Sequence, residues 1–316
     1  MTGLVAVTGA TGFIGQTLVT RLLERGWRVR VLARHLPSLP LAPQGAAEIV
    51  PGDLADTAAL LRLTAGVDAV AHLAGLIKAR KPAEFFATNR DGVAVVLQAA
   101  LAQPRPPSRF VLLSSMAARE PGLSPYGASK RAGEDVVRQA AGGLPWAAIR
   151  APVVYGPGDR ETLRFFQLVR RGWAPVAGNG QGRLSAIHVE DLADALIVLL
   201  AGDMPPPDAY EIDDGHEPGY VTADLARIAA AKFKVRARQI GIPKPLLQAV
   251  AALQQGWNGL RGRPTMVSLA KVNEIFHPDW LRHDRRLENL IGWRATTGLQ
   301  AGIERTIDWY RKKLWL

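Results

Sequence analysis

A glycine-rich loop between an apolar run and a helical pattern is the feature that most constrains this fold. Leu4–Val7 has the uninterrupted apolar character of a buried parallel strand, and Phe13–Arg25 carries apolar residues at helical spacing. The glycines of Thr8–Gly15, which lie between them, let the backbone turn sharply and approach a ligand closely. The helix then offers unpaired N–H groups and partial positive charge at its start. This order predicts a strand–loop–helix unit that binds a pyrophosphate.

Strand and helix patterns alternate after this unit as far as about residue 151. The predicted strands are Val29–Ala33, Ala47–Val50, Ala69–Leu73, Arg109–Ser114 and Trp146–Arg150, and the predicted helices are Ala58–Thr64, Asp91–Ala102 and Ala128–Ala141. The alternation predicts an α/β fold, a Rossmann-type doubly wound parallel sheet. Beyond it helices dominate, and Tyr210–Ile212 is the one clear strand. We therefore expect a cofactor-binding domain at 1–155 and a smaller, mostly helical substrate lobe at 156–316, partly interleaved with it.

The composition narrows the class of protein. The chain contains no cysteine, which excludes disulfides and thiolate metal sites, and we predict no metal site. Before the first strand there is no room for a signal peptide, and no stretch of roughly 18 apolar residues predicts a membrane span. We expect a cytoplasmic protein.

Further motifs follow the glycine loop. They are Gly52–Leu54, His72–Gly75, Asn89, Tyr126–Lys130, Arg150–Gly158 and Ile187–Ala193. Together with the Gly-x-x-Gly-x-x-Gly spacing of residues 9–15, they resemble the extended short-chain dehydrogenase/reductases, the NAD-dependent epimerase/dehydratase group, over nearly the whole chain. The resemblance implies an NAD(P)-dependent enzyme.

The resemblance also implies a catalytic set. Tyr126 and Lys130 lie four residues apart on one face of a helix, where an ammonium favours the phenolate and makes the tyrosine a better acid. Such an acid protonates the alkoxide that hydride transfer to a ketone leaves behind. A hydroxyl must also fix the carbonyl oxygen; aligned to the family, Ser115 is favoured and Ser114 is the alternative.

The cofactor contacts implied by the resemblance extend over both halves of the chain. They are Gly9, Thr11, Gly12, Phe13, Ile14, Gly15, Arg34, Asp53, Leu54, Leu73, Ala74, Gly75, Asn89, Tyr126, Lys130, Pro152 and Val153. Ala33 stands where an acid would bind the ribose 2′-hydroxyl of NAD, and Arg34 next to it can pair with the 2′-phosphate of NADP. NADP(H) is therefore favoured over NAD(H), unless Arg34 is only a surface residue.

Two departures from the family bear on the substrate. Nucleotide-sugar enzymes of the group generally have an asparagine at Val153 and often an arginine at Leu184. A buried valine offers no hydrogen bond, so a sugar diphosphate would lose contacts of roughly 1–3 kcal/mol each. The pattern is similar to members that reduce ketones on hydrophobic substrates, among them the bacterial ceramide reductases, which act on a 3-oxo-sphingolipid. His188 and Asp191 look like a catalytic pair, but we favour a structural role for both.

The basic charge suggests a partner. Of the net charge of +11, most comes from Lys232–Arg286, where eleven Lys and Arg stand against three acids. Within it, Ile242–Leu253 is apolar and is followed by Trp257, which suits peripheral contact with an anionic membrane. The alternatives are a solvated basic face and packing within the lobe's own core. We expect no nucleic-acid partner, and the oligomeric state stays open.

Three functions are consistent with these patterns. The first is an NADPH-dependent ketone reductase acting on a lipid-like substrate, with 3-oxo-ceramide the best candidate. The second is a nucleotide-sugar epimerase or dehydratase that retains NAD. The third is a non-catalytic, NADPH-holding accessory subunit, against which the intact set of Ser115, Tyr126 and Lys130 argues.

Overall fold

The computed structural model describes residues 3–34, 47–260 and 268–316, with the backbone helix alone for 255–260. Arg261, Arg263 and the side chain of Trp257, which belong to the basic apolar stretch, lie outside the described residues. The chain forms two compact units. The first contains Met1–Arg150, Ala193–Glu211 and Asp284–Trp293, and the second contains Ala151–Leu192, Ile212–His283 and Arg294–Leu316.

The first unit is built on a parallel sheet of seven strands. Numbered in chain order through the whole protein, they are β1 (Leu4–Thr8), β2 (Arg28–Ala33), β3 (Ala47–Pro51), β4 (Ala69–His72), β5 (Phe110–Ser115), β6 (Trp146–Ala151) and β11 (Asp208–Glu211). Their spatial order is β11-β6-β5-β4-β1-β2-β3. Every residue of β1 and β4 is buried, as their apolar sequences require in the middle of a parallel sheet. The predicted Rossmann-type fold is confirmed.

Helices cover this sheet. They are α1 (Phe13–Glu24), α2 (Thr57–Thr64), α3 (Pro82–Phe86), α4 (Gly92–Leu101), α5 (Pro125–Ala140), α7 (Val189–Ala201) and α11 (Arg286–Ile291), with a π-helical turn at Ala87–Asp91 and a 3₁₀ turn at Met116–Arg119. Helix α5 begins at Pro125 and not, as predicted, at Ala128. Ser124 accepts a hydrogen bond from the backbone N–H of Gly127 at 2.9 Å, and proline fits the first helical turn, so these two residues set the earlier start.

The second unit combines helices with short strands. The strands are β7 (Val153–Tyr155), β8 (Trp173–Ala177), β9 (Arg183–Leu184), β10 (Ala186–His188), β12 (Tyr220–Val221), β13 (Arg238–Ile242) and β14 (Asp279–Trp280). The helices are α6 (Glu161–Arg170), α8 (Thr222–Phe233), α9 (Lys244–Leu260), α10 (Leu269–Ile275) and α12 (Leu299–Lys312). The prediction of a single late strand was wrong, because strands of two to five residues are too short to show a hydrophobic period. The core of this unit contains Tyr155, Phe166 and Tyr310.

The predicted domain boundaries and the predicted absence of a membrane span remain to be compared with the structure. The domains at 1–155 and 156–316, with their cofactor and substrate roles, stay a prediction. Within the described ranges, the structure contains no helix that is both long enough and apolar enough to cross a bilayer.

Candidate active site

The glycine loop is shaped by close backbone approaches. A side chain at Gly9, which has a φ of +71°, would stand 2.6 Å from the backbone nitrogen of Ala74. A side chain at Gly15 would stand 2.1 Å from the carbonyl oxygen of Gly9. Only glycine therefore lets the loop pack on the segment after β4 and lets α1 pack on the loop.

The start of α1 is open to an anion. Gly12 is the residue before the helix, it is exposed, and no side chain caps the first backbone N–H groups. The first turn, which begins with Phe13 and Ile14, contains no acidic residue that would repel a phosphate. Uncapped N–H groups and the helix dipole at a glycine-lined loop fit the pyrophosphate of a dinucleotide.

A buried threonine–histidine pair joins the two strands that lead into the glycine loop and into the segment after β4. The hydroxyl of Thr8 and Nδ1 of His72, at the ends of β1 and β4, lie 2.8 Å apart, and the same hydroxyl accepts from the N–H of Ala74 at 3.2 Å. Burial, and secondarily the charge of Lys130, lowers the pKa of His72 to about 3. The ring is therefore neutral at pH 7 and joins the two strands. No sequence pattern indicated this role for His72.

The predicted adenosine contacts lie at neighbouring strand ends. Arg34 is exposed directly after β2, whose last residue, Ala33, is buried and pairs with Pro51 of β3. Asp53 follows β3 and accepts the N–H of Ala55 at 2.9 Å, which orients its carboxylate. Carboxyl ends of adjacent parallel strands form the usual dinucleotide site of this fold.

Leu54 and Asn89 hold the adjoining segments in place. The side chain of Leu54 lies so close to Gly92 that a side chain there would meet it at 2.8 Å. The buried amide of Asn89 accepts the N–H of Leu76 at 2.8 Å, donates to its carbonyl at 3.0 Å and donates to Ser129 at 2.9 Å. It thereby joins the segment after β4, which contains Leu73, Ala74 and Gly75, to helix α5.

Lys130 is buried one turn after Tyr126. Its ammonium donates to the carbonyl of Leu113 at 2.6 Å, at the end of β5. Burial lowers the pKa of Lys130 to about 8, and the carboxylate of Glu134, one turn further along, opposes this shift. A side chain at Gly75 would lie 3.6 Å from the ammonium, so the lysine faces the segment after β4. Tyr126 is partly buried and stacks edge-on with Phe85 at 6.0 Å.

The two serines at the end of β5 differ in what their hydroxyls do. Ser114 is buried and donates to Glu134 at 2.6 Å, so its proton is already used. Ser115 accepts from the N–H of Ala117 at 3.2 Å, and its own proton has no acceptor among the described residues. A side chain at Gly127 would meet the carbonyl of Ala117 at 2.6 Å, so the start of α5 lies against the turn that Ser115 caps. Of the two serines, Ser115 is the one able to donate to a substrate.

The carboxylate behind Lys130 belongs to an ion pair that the sequence did not reveal. Arg150 of β6 donates to both oxygens of Glu134, at 2.9 and 2.6 Å, and Glu134 is fully buried. These partners lie sixteen residues apart in sequence, and no spacing rule links a helix to the following strand in this way.

The remaining predicted residues lie in the second unit. Val153 was expected to be buried, and the structure corrects this: its exposure is 39%, because it lies at the exposed start of the three-residue strand β7, whose other end, Tyr155, is buried. Pro152 directly precedes it and is partly buried. Asp191 accepts from the N–H of Thr296 and of Thr297, at 3.1 and 2.9 Å, and so anchors the segment that leads into α12. His188 is buried beside Tyr155 at 5.6 Å between ring centres.

Comparison with known proteins identifies one matching family and several relatives. Residues 5–213 match the NAD dependent epimerase/dehydratase family. A protein named ceramide reductase, from Caulobacter vibrioides (strain NA1000 / CB15N), is 41% identical over 315 residues, which cover 99% of this chain and 96% of its own. A 3 beta-hydroxysteroid dehydrogenase/Delta 5-->4-isomerase from Mycobacterium tuberculosis (strain CDC 1551 / Oshkosh) is 31% identical over 244 residues, 67% of this chain and 65% of its own.

A solved structure shows the same fold with a dinucleotide. MoeE5 in complex with UDP-glucose and NAD superimposes with a TM-score of 0.75 and 25% sequence identity, over 98% of this chain and 99% of that one.

Proposed function

The chain belongs to the NAD dependent epimerase/dehydratase family, and from that premise we propose that it is an NADPH-dependent oxidoreductase that reduces a ketone on a hydrophobic, lipid-like substrate. The best candidate substrate is 3-oxo-ceramide or another 3-oxo-sphingolipid. The observation that carries the chemistry is the buried ammonium of Lys130, fixed on the carbonyl of Leu113 one turn after Tyr126. The substrate class is supported by the relative named ceramide reductase, which is 41% identical over almost the whole chain.

Each residue of the set has a distinct part. A bound reduced nicotinamide supplies the hydride. The hydroxyl of Ser115 donates a hydrogen bond to the ketone oxygen, since its proton is not used elsewhere in the described chain. Tyr126 gives its phenolic proton to that oxygen as negative charge develops there. Lys130 stabilises the phenolate that remains, because an ammonium in a buried site interacts strongly with a neighbouring anion.

The preference for NADPH rests on the end of β2. No carboxylate directly follows the strand to bind a ribose 2′-hydroxyl, and the exposed guanidinium of Arg34 supports pairing with a 2′-phosphate. Arg34→Ala should weaken NADPH binding about tenfold or more and leave NADH binding nearly unchanged, since charge-assisted hydrogen bonds contribute roughly 1.5–3 kcal/mol. Titration of both cofactors measures this. Equal losses for the two would mean that Arg34 does not discriminate between them.

The function is tested by turnover with a defined substrate. Purified protein with NADPH should reduce detergent-dispersed 3-oxo-ceramide to the 3-hydroxy product, identified by mass spectrometry. A protein that leaves 3-oxo-ceramide and shorter keto-lipids unchanged would contradict the proposal.

A nucleotide-sugar activity is the second candidate, because MoeE5, a relative of the same fold, binds UDP-glucose and NAD. It requires NAD that survives dialysis and a nucleotide sugar that raises the melting temperature of the chain. Release of the cofactor from purified protein, followed by its mass, distinguishes the two functions.

A further inference from the structure

Two long stretches of the second unit lack acidic residues. Neither 162–189 nor 225–273 contains an aspartate or glutamate. Seven exposed cations of these stretches have no carboxylate partner among the described residues: Arg170, Arg171, Arg183, Lys234, Arg236, Arg238 and Lys244. Elsewhere in the same unit, exposed cations do pair, as Arg305 does with Glu190 at 3.5 Å. The local excess of positive charge therefore reaches solvent uncompensated.

Large apolar side chains are exposed on the same segments. Strand β13 pairs with β8 so that Arg238 stands beside Trp173 and Ile240 beside Pro175, and side chains of paired residues project on the same face. Trp173 is 48% exposed and Ile240 is 41% exposed. One face of this two-stranded ribbon therefore presents a tryptophan and an isoleucine next to an arginine.

Helix α9, which follows β13 directly, also exposes apolar side chains next to a basic residue. Leu246, Val250 and Leu253 recur at i, i+4 and i+7 and so form one face of the helix, and their exposures are 55, 39 and 75%. Ala251, on another side of the helix, is fully buried. The helix starts with Lys244 and contains no acidic residue. An outward apolar face with a basic start is unusual for a helix that meets only water.

We propose that this docking surface, formed by β8, β13 and the Leu246–Val250–Leu253 face of α9, binds peripherally to a bilayer that contains anionic lipid. The apolar side chains enter the interface and the unpaired cations bind lipid headgroups, which are the two signals that peripheral binding needs. A second copy of the chain fits less well, because a two-fold contact would set the same cations against each other. A nucleic acid would leave the exposed leucines without a partner.

This inference deepens the proposed function, because a bilayer is where a lipid-like substrate is found, but the binding itself does not depend on the chemistry. Binding of the full-length protein is measured by co-sedimentation with two kinds of vesicle. One contains phosphatidylcholine alone, and the other contains equal parts of phosphatidylcholine and phosphatidylglycerol. The protein should bind the anionic vesicles, and added salt should weaken that binding.

Two double variants test the two signals. Arg236→Gln with Arg238→Gln should weaken binding to anionic vesicles about 30-fold, since each basic side chain near such a surface contributes about fivefold. Leu246→Gln with Leu253→Gln should weaken it about tenfold or more, because two apolar side chains no longer enter the interface. Arg105→Gln and Leu290→Gln are matched controls at exposed positions of the first unit and should bind as wild type does.

The outcomes separate this inference from the enzymatic one. Double variants that bind anionic vesicles as tightly as the controls would overturn the docking surface. So would variants that leave vesicle binding intact but change the sedimentation mass, since that would identify a contact between copies. Reduction of a short, water-soluble 3-oxo compound by NADPH should be equal in wild type and all four variants. Vesicle binding without any ketone reduction would contradict the proposed function but would still support the docking surface.

Discussion

Each unit buries a carboxylate together with an arginine and a serine. In the first unit Glu134 accepts hydrogen bonds from Nε and Nη2 of Arg150, at 2.9 and 2.6 Å. It also accepts one from the hydroxyl of Ser114 at 2.6 Å. In the second unit Asp213 receives Arg282 at 3.1 Å and the hydroxyl of Ser185 at 2.8 Å. Both carboxylates are almost fully buried, and so are both serines.

The neighbours of the two clusters differ. Glu134 lies one turn after Lys130 on α5, and its charge raises the pKa of that lysine against the lowering by burial. Asp213 accepts the N–H of Gly215 at 2.9 Å, and Ser185 accepts the N–H of Arg282 at 3.0 Å, so the second cluster joins backbone segments. The same set of side chains thus stabilises the fold in both units, and in the first its carboxylate also acts on the pKa of a buried lysine.

Removal of the arginines should have the largest effect, and a similar one in both units. Arg282→Met leaves a buried carboxylate without its cation, which costs about 3–5 kcal/mol of unfolding free energy, and Arg150→Met should cost a similar amount. Denaturation in urea measures both. Arg286→Met, at an exposed ion pair, is the control and should leave the free energy of unfolding close to the wild-type value. If Arg282→Met lost as little unfolding free energy as the control, the second cluster would not be a stabilising ion pair.

The next effect concerns Lys130, which only the first cluster has beside it. Its pKa is about 8 in the folded chain against 10.5 for a free lysine, so between these pH values the unfolded chain binds more protons. The stability of wild type relative to Lys130→Met should therefore rise as pH increases from 8 to 10.5, by at most about 3 kcal/mol. Urea denaturation across this range measures it, with Lys244→Met as the exposed-lysine control. A constant difference would mean that the lysine is not held in a buried, cation-disfavouring place.

The smallest effect compares the two carboxylates directly. Glu134→Gln removes the charge that raises the pKa of Lys130, so the lysine should lose its proton at a lower pH. His72, the other titrating neighbour, is neutral above pH 3 and does not mask the change. The alkaline limb of ketone reduction, where Lys130 loses its proton, should then move to lower pH. Asp213→Asn should leave the limb in place. Equal shifts in both variants would show that they act through general loosening of the fold.

Local patterns predicted the first unit well. The run Leu4–Val7, the glycine loop and the helix from Phe13 each depend on neighbours in sequence, and the structure confirms them. The start of α5 was placed three residues late, because the hydrogen bond from Gly127 to Ser124 outweighs the weak helical pattern there. Tyr126 and Lys130 could be chosen from their spacing together with the preceding serines and the glycine loop, although their catalytic roles stay predictions.

Local sequence patterns could not predict contacts between residues that are distant in the chain. Ser185 and Asp213 lie 28 residues apart and Asp213 and Arg282 lie 69 apart, and nothing in the sequence pairs them. Alignment to the family favoured Ser115 over Ser114, but only the fold supplies a physical reason, because Glu134 takes the proton of Ser114. Short strands such as β9 and β12 form only because a partner strand is present.

We infer that Tyr126, one turn before the buried Lys130 on α5, is the proton donor. Steady-state reduction of 3-oxo-ceramide with NADPH should fall about 10²–10⁴-fold in kcat/KM in Tyr126→Phe, while NADPH affinity and the urea midpoint stay at wild-type values. Tyr220→Phe, which removes a hydroxyl bonded to Asp214 at 2.6 Å, controls for the loss of a phenol elsewhere. A Tyr126→Phe enzyme that keeps its rate within tenfold of wild type would contradict the claim.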